Sequence, residues 1–448
     1  MTAPQETTPL AVPETAQQGG EVLDRWFWTE RVVWTERMLT ALDEGVKGGV
    51  WFRLIDKVWS ERNLWASYDK VAANGGAPGV DHVTVEAFGD ELEANVEQLT
   101  AALREGTYKP QAIRRVYIPK PGSSEQRPLG IPTTRDRVVQ GAVRHVIEPI
   151  FEKEFATHSY GFRPGRGCKD ALRRVDELLK QGYTHVVDAD LKSYFDTIPH
   201  DRLMSRLRER IADGRILGLI ESFLKAGILD GLEESEPEAG APQGAVLSPL
   251  LSNIYLNPLD HQMATQGFEM VRYADDFVIL CRSQADAEQA LTIVRQWCEA
   301  EGLVLHPNKT KIVDVRTEGF DFLGYHFTTT RRGKLTRWPR TKSVAKLKDT
   351  IRAKTQRTDG RALRCIITDV NRTLYGWFEY FRHSYHTTFR PLDRWIRGRL
   401  RSILRKRAGK RGRGRGSDHQ RWPNSYFAEQ GYYSLEAAYA VACQSSCR

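Results

Sequence analysis

The run Val271-Arg272-Tyr273-Ala274-Asp275-Asp276-Phe277-Val278-Ile279-Leu280 constrains this chain more than any other stretch. Two short segments rich in β-branched and aromatic residues flank a small residue and two adjacent carboxylates. That is the pattern of a β-hairpin with Asp275 and Asp276 at its tip. Asp is also a common turn residue, so an isolated Asp-Asp equally describes a solvated turn. A second stretch bears on the choice. His185-Val186-Val187-Asp188-Ala189-Asp190-Leu191 reads as a strand ending in acids, followed by Lys192-Ser193-Tyr194-Phe195-Asp196. A carboxylate leaving one strand, with two more on a hairpin tip, is what a two-metal phosphoryl-transfer site needs. Mg²⁺ takes oxygen ligands and few protein carboxylates, leaving positions for substrate phosphates. Two such ions about 3.5–4 Å apart stabilise the attacking and the leaving oxygen together. Without cations three clustered carboxylates repel one another, so the clustering has no structural use.

Tyr273-Ala274-Asp275-Asp276, with Asp190 followed by Phe195, resembles the palm of a reverse transcriptase. More narrowly, it resembles the reverse transcriptase/maturase encoded by bacterial group II introns. The resemblance implies an α+β right-hand polymerase fold: a small antiparallel palm sheet, helical fingers and an α-helical thumb/maturase domain. It implies catalytic, metal-holding roles for Asp190, Asp275 and Asp276, with two Mg²⁺ ions as cofactor and Asp276 assisting. The partners it implies are an intron RNA template, a DNA primer or target, and dNTPs.

Length and charge agree with this without proving it. A chain of 448 residues has room for two or three domains. Its 66 basic residues against 57 acidic ones give a net charge of +9. An excess of that size points to a polyanion only where it is concentrated. The six cysteines are scattered, so a disulfide framework is not expected. Cys443 and Cys447 lie close together without a second ligand pair, which leaves little for zinc. No apolar run approaches the roughly 20 residues a spanning helix requires, and a cytoplasmic protein without membrane contact is expected.

Taken in order, residues 1–22 are rich in Thr, Pro, Gln and Gly and read as a disordered leader. Residues 23–102 read as a helical N-terminal extension, in which Trp51, Leu54, Ile55, Val58 and Trp59, then Leu92, Val96 and Leu99, fall at helical spacing. Between them Gly75-Gly76-Ala77-Pro78-Gly79-Val80-Asp81 is a loop. Read locally it is a tight turn, whereas the family resemblance assigns such a segment to template contact. Residues 103–330 would form fingers and palm. A basic hairpin there places Lys120 and Arg127 near its tip, suited to a nucleotide triphosphate. Ser159-Tyr160-Gly161-Phe162-Arg163-Pro164-Gly165-Arg166 mixes aromatics with arginines, as single-strand contacts do, and matches a stretch typical of the family. Arg163 and Arg166 are candidate phosphate contacts.

By resemblance, Phe195 closes the sugar pocket against a 2′-hydroxyl; an ordinary core Phe is the alternative. Ile211 to Leu229 reads as helix, and residues 233–238 as an acidic loop. Ala241-Pro242-Gln243-Gly244 resembles the segment behind the nascent base pair, where Gln243 could bond nucleotide or template. Most family members carry Thr and Gly where Ala241 and Ala245 stand. Ala285 to Glu301 is an amphipathic helix with Ala287, Leu291, Val294 and Trp297 on one face. Lys309 is the candidate for the family's lysine near substrate. Residues 331–410 would be the thumb/maturase domain, and 411–448 a basic linker and short tail. From Arg399 to Arg415 there are nine basic residues and no acid. Arg399, Arg401, Arg405, Lys406 and Arg407 are therefore candidate nucleic-acid contacts. The tail lacks the paired cysteines and histidines of an HNH endonuclease, which is the pattern of the endonuclease-less type.

The expectation is an RNA-directed DNA polymerase that assists intron splicing and mobility. Two alternatives stay open: an RNA-binding maturase that never polymerises, and a domesticated or defence-related reverse transcriptase.

Overall fold

The computed structural model describes residues 24–119 and 126–445. They divide into two compact units. The first comprises 24–119, 126–176 and 187–312, and the second 177–186 and 313–445. The strands, in chain order, are β1 (Ile113–Pro119), β2 (Gln126–Ile131), β3 (His185–Asp190), β4 (Ile228–Asp230), β5 (Glu233–Ser235), β6 (Glu269–Tyr273), β7 (Asp276–Cys281), β8 (Lys311–Asp314), β9 (Phe320–Phe322), β10 (Tyr325–Thr329) and β11 (Leu335–Pro339).

The first unit is built round the helix Thr134–Glu152. Thr133 caps it by accepting from the Asp136 N–H at 3.1 Å. Val138, Val139, Ala142, Val143, Val146 and Ile147 are fully buried along it. The helix Glu61–Asn74 lies close against it because Gly141 leaves room for Ser67, whose hydroxyl donates to the Val138 carbonyl at 2.7 Å. Two sheets flank this core. One runs β2-β1-β4-β5, and the other has β6, β7 and β3 side by side with β8 next to β3. β6 and β7 are antiparallel, pairing Tyr273 with Asp276, so Ala274 and Asp275 form a two-residue connection. The helix Gln284–Ala300 starts with a capping box between Ser283 and Asp286, and Ala287, Val294 and Trp297 are buried as its periodicity requires.

Several local expectations are corrected. Trp51 and Leu54 precede the short helix Ile55–Val58; Trp51 bridges Ile211 through backbone bonds, although both side chains are core. The stretch from Ile211 to Leu229 is helical only over Gly214–Leu224, capped by Asp213. Gly227 and the strand β4 follow, and the acidic residues Glu233–Ser235 form β5 instead of a loop, pairing antiparallel with β4. β-Strand pairing decided this, since a three-residue strand leaves no periodicity to read. The glycine-rich loop folds back on its own chain. A Cβ at Gly79 would come within 2.6 Å of the Thr133 backbone, and Arg137 donates to the Ala77 carbonyl at 2.9 Å.

The second unit carries the meander β11-β10-β9 and the helices Thr341–Lys354, Leu363–Phe381, Phe389–Arg407 and Leu435–Ser445. The β9–β10 connection is two residues, Leu323 and Gly324, both at positive φ, as a tight hairpin turn needs. Ile366, Val370, Leu374, Phe378, Phe389, Ile396 and Leu400 are part of a separate core.

Candidate active site

Asp275 occupies the turn itself and Asp276 opens β7, where it is exposed. Ala274, just before them, is held at φ +60°, a conformation that costs an L-residue about 1–2 kcal/mol. What over-determines it lies underneath. Gly161 passes so close that a Cβ there would sit 2.2 Å from the Ala274 nitrogen. Arg272, fully buried, donates from Nη1 to the Ala274 carbonyl at 2.9 Å and to Asn253 Oδ1 at 2.8 Å. Its Nε and Nη2 grip Asp260 at 2.8 and 2.5 Å. Asn253 in turn donates to the Gly161 carbonyl at 2.7 Å. The turn is thus tied to the helix Ser248–Thr265 through one guanidinium.

Asp190 ends β3. Its carbonyl accepts from the His306 N–H at 2.7 Å, and Lys192 N donates to Val304 O at 2.8 Å. These bonds hold the following turn beside the strand end, so Lys309 reaches back to place Nζ 2.6 Å from Asp190 Oδ2. Burial pushes the Asp275 carboxyl above its usual range, and the charge of Asp190 pushes it further; Arg127 and Arg272 oppose that. Asp275 therefore feels the negative charge of Asp190. Arg127, on β2 opposite Ile118, brings the basic hairpin's charge to bear on the same acid.

Of the three carboxylates expected to converge, Asp190 acts electrostatically on Asp275. Among the described residues no three Asp, Glu, His or Cys side chains enclose a common point. Asp190 and Asp275 nonetheless fit a hard cation: two repelling carboxylates, with the chain's own ammonium on one of them. Mg²⁺ needs only one or two carboxylates when substrate phosphates complete its shell.

A cavity of about 350 Å³ in the first unit is lined by Phe195, Asp196, Arg115, Gly130 and Gln243 among others. Main-chain bonds bring its walls together. Ala241 N donates to Phe195 O at 2.7 Å, and Gly130 N to Gln243 O at 2.7 Å. Gly244, at φ +109°, would drive a Cβ to 2.5 Å from the Gly130 carbonyl, which explains the glycine in Pro-Gln-Gly. Phe195 is half-buried on the cavity wall, not sealed in the core. Lys120 lies outside the described residues.

Of the two arginines in the loop 159–166, one is withdrawn as a phosphate-contact candidate. Arg163 is buried; its guanidinium is spent on Glu152 and on the carbonyls of Ala156 and Ser159, both at 2.7 Å, so it scaffolds the loop. Arg166 is half-buried, lies over the Tyr160 ring at 5.7 Å and keeps part of its surface in solvent. In the second unit Arg401 is buried and donates to the Trp422 carbonyl at 2.9 Å. Arg399 caps the helix Thr341–Lys354 through Thr355, donating to its carbonyl at 2.8 Å. Arg405 bonds Asp418 and the Arg411 carbonyl, and Arg407 bonds the carbonyls of Asp359 and Arg361. Lys406 is exposed. Cys443 is exposed and free, while Cys447 lies outside the described residues.

Arg115, Asn253, Asp260 and Arg272 were not singled out from sequence. Arg272 carried a signal, being a charged residue set between Val271 and Tyr273 in the middle of a strand. Asp260 carried none, because twelve residues separate it from its partner.

A strand-end carboxylate whose charge reaches a carboxylate on a pinned hairpin turn, with Arg127 of a basic hairpin acting on the same acid, is the arrangement expected of a nucleotidyl-transfer palm. Residues 118–327 match the reverse transcriptase (RNA-dependent DNA polymerase) family, and residues 344–422 match the group II intron maturase-specific domain. Protein YkfC of Escherichia coli K12 is 39% identical over 297 residues, covering 57% of this chain and 76% of YkfC. Group II intron-encoded protein LtrA of Lactococcus lactis subsp. cremoris is 40% identical over 198 residues, 44% of this chain and 32% of LtrA. The match thus spans about a third of that relative's length. A solved partial Cas6-RT-Cas1–Cas2 complex aligns over 55% of this chain and 43% of its own, at 26% identity and a TM-score of 0.36. The chain belongs to the group II intron-encoded reverse transcriptase/maturase family. No helix among the described residues is long and apolar enough to cross a membrane.

Proposed function

We propose that this chain copies an RNA template into cDNA, extending a DNA primer with dNTPs, and that its second unit binds intron RNA to assist splicing and mobility. The observation that carries the polymerase reading is the charge of Asp190 acting on Asp275 at the pinned turn, with Lys309 Nζ 2.6 Å from Asp190. A binding protein gains nothing from repelling carboxylates set towards a polyanion. Asp190 and Asp275 would hold the Mg²⁺, with two ions and assistance from Asp276 as the full reading. Bound there, the metal supplies charge stabilisation for the attacking and leaving oxygens. Arg127 and Lys120 would steer the triphosphate, Gln243 would bond the nucleotide or template, and Lys309 would lie at the substrate's edge. Arg166 and Lys406 remain candidates for phosphate contact.

The test is extension of a DNA primer annealed to an RNA template, with and without Mg²⁺. Incorporation that needs both dNTPs and the metal supports the reading. A chain that binds the template yet adds no nucleotide would leave only the maturase alternative. A second expectation concerns sugar choice. Phe195 lines a cavity together with Gln243, so Phe195→Ala should raise ribonucleotide incorporation by about 10-fold or more, the scale of one removed steric contact. Unchanged discrimination would return Phe195 to the core.

A further inference from the structure

The helix Phe389–Arg407 has two characters. Phe389, Leu392, Ile396, Leu400 and Ile403 are buried in the second unit's core. Arg390, Arg394 and Arg397 stand at i, i+4 and i+7, a spacing that stacks side chains on one face. These three, with Trp395 and His419, line a cleft of about 790 Å³ whose lining contains no acid.

Arg397 makes the cleft more than a basic surface. Its side chain is only 13% exposed, and its Nε is buried without a hydrogen-bond partner. The carboxylate beside it, Asp393, is 4.0 Å away. That carboxylate already accepts from the Tyr432 and Ser434 hydroxyls and from the N–H groups of Leu435 and Glu436. A mostly buried guanidinium short of acceptors is costly unless a ligand supplies them. Arg394 is exposed, and Arg390 is 81% exposed, approaching Glu436 only to 3.9 Å. The run 399–407 contrasts with this, because most of its arginines are engaged on main-chain carbonyls or Asp418.

We propose that the Arg390–Arg394–Arg397 cleft is a binding site for the phosphodiester backbone of single-stranded RNA. This rests on the RNA-binding role given above to the second unit. Guanidinium forks match phosphate oxygens in pairs. The three arginines span about 10 Å of helix at 1.5 Å per residue, enough for a strand and not for a lone anion. Trp395 offers a half-buried ring at the same edge.

The test uses the full chain and a fluorescent RNA oligonucleotide, with affinity measured across a KCl series. For single strands the slope of log K against log salt changes by about 0.7 per phosphate contact. Arg394→Gln with Arg397→Gln should flatten the slope by about 1.4, whereas Arg407→Gln, whose guanidinium is held on the carbonyls of Asp359 and Arg361, should leave it within experimental error. Arg394→Gln alone, on an exposed side chain, should flatten it by about 0.7 and keeps the test alive if the double variant unfolds. Arg397→Lys should retain the slope and lose affinity, since charge stays while the fork is lost. A DNA oligonucleotide of the same sequence forms the second arm. Flattening on RNA, with or without the same effect on DNA, supports the site; flattening on DNA alone overturns it. An unchanged RNA slope in folded Arg394→Gln also overturns it. Primer extension by the wild-type chain is measured alongside, because failure to extend would count against polymerisation while leaving this binding result intact.

Discussion

Asp275→Asn is expected to lower primer extension by about 10³-fold or more while leaving template binding intact. The cause is electrostatic. A metal at this site lowers the barrier by several kcal/mol, and each 1.36 kcal/mol is a factor of ten in rate. Asn keeps the size and one oxygen but removes the charge that, with Asp190, would hold the cation. The turn should survive the change, because its geometry is fixed by Gly161 and by Arg272 on the Ala274 carbonyl, not by the Asp275 side chain. Equal extension by wild type and variant under single-turnover conditions would remove Asp275 from the chemistry.

The same substitution should act oppositely on stability. Burial, then the charge of Asp190, raise the Asp275 carboxyl above its ordinary value. An acid with a raised folded-state pKa ionises first in the unfolded chain. The folded state therefore loses stability as pH rises from the unfolded pKa through the folded one, and at neutral pH the ionised side chain is a net cost. Without metal, Asp275→Asn should melt above wild type at pH 7, and the gap should close in acid. A charge retained at a cost in stability and needed for turnover is the mark of a functional site.

The sequence carried the two acid-bearing segments plainly because each is local. Short runs of β-branched and aromatic residues on either side of Asp275, and a β-branched run ending at Asp190, are read within ten residues. The hairpin bearing Arg127 was legible for the same reason. What it could not convey was which charged groups turn inward. Arg163 and Arg401 look like surface cations until Glu152 and the Trp422 carbonyl are seen to consume them. The acidic stretch at Glu233 looked like a loop because its strand partner, β4, has only three residues. The stripe Arg390–Arg394–Arg397 sat in plain view at helical spacing, but the denser run that follows it drew attention away.

The buried pair under the turn offers the second large effect. Arg272→Met should destabilise the chain by about 3–5 kcal/mol, because it strands the Asp260 carboxylate without a partner in the core. Burial alone disfavours the charged guanidinium, yet Asp260's charge and hydrogen bonds hold its pKa above the ordinary value. Asp260→Asn should cost a similar amount by stranding Arg272 instead. Replacing both, Arg272→Met with Asp260→Leu, removes two charges that desolvation penalised, and such apolar exchanges are often neutral or better. The urea midpoint of the double variant should therefore return towards wild type. Extension should not. With the guanidinium gone, no side chain donates to the Ala274 carbonyl, and the φ +60° backbone that aims Asp275 relaxes. Recovery of stability without activity separates positioning from mere support of the fold. If the stable double variant extended primers at the wild-type rate, Gly161 and the strand pairing alone would suffice to aim the carboxylate, and Arg272 would be a structural residue only.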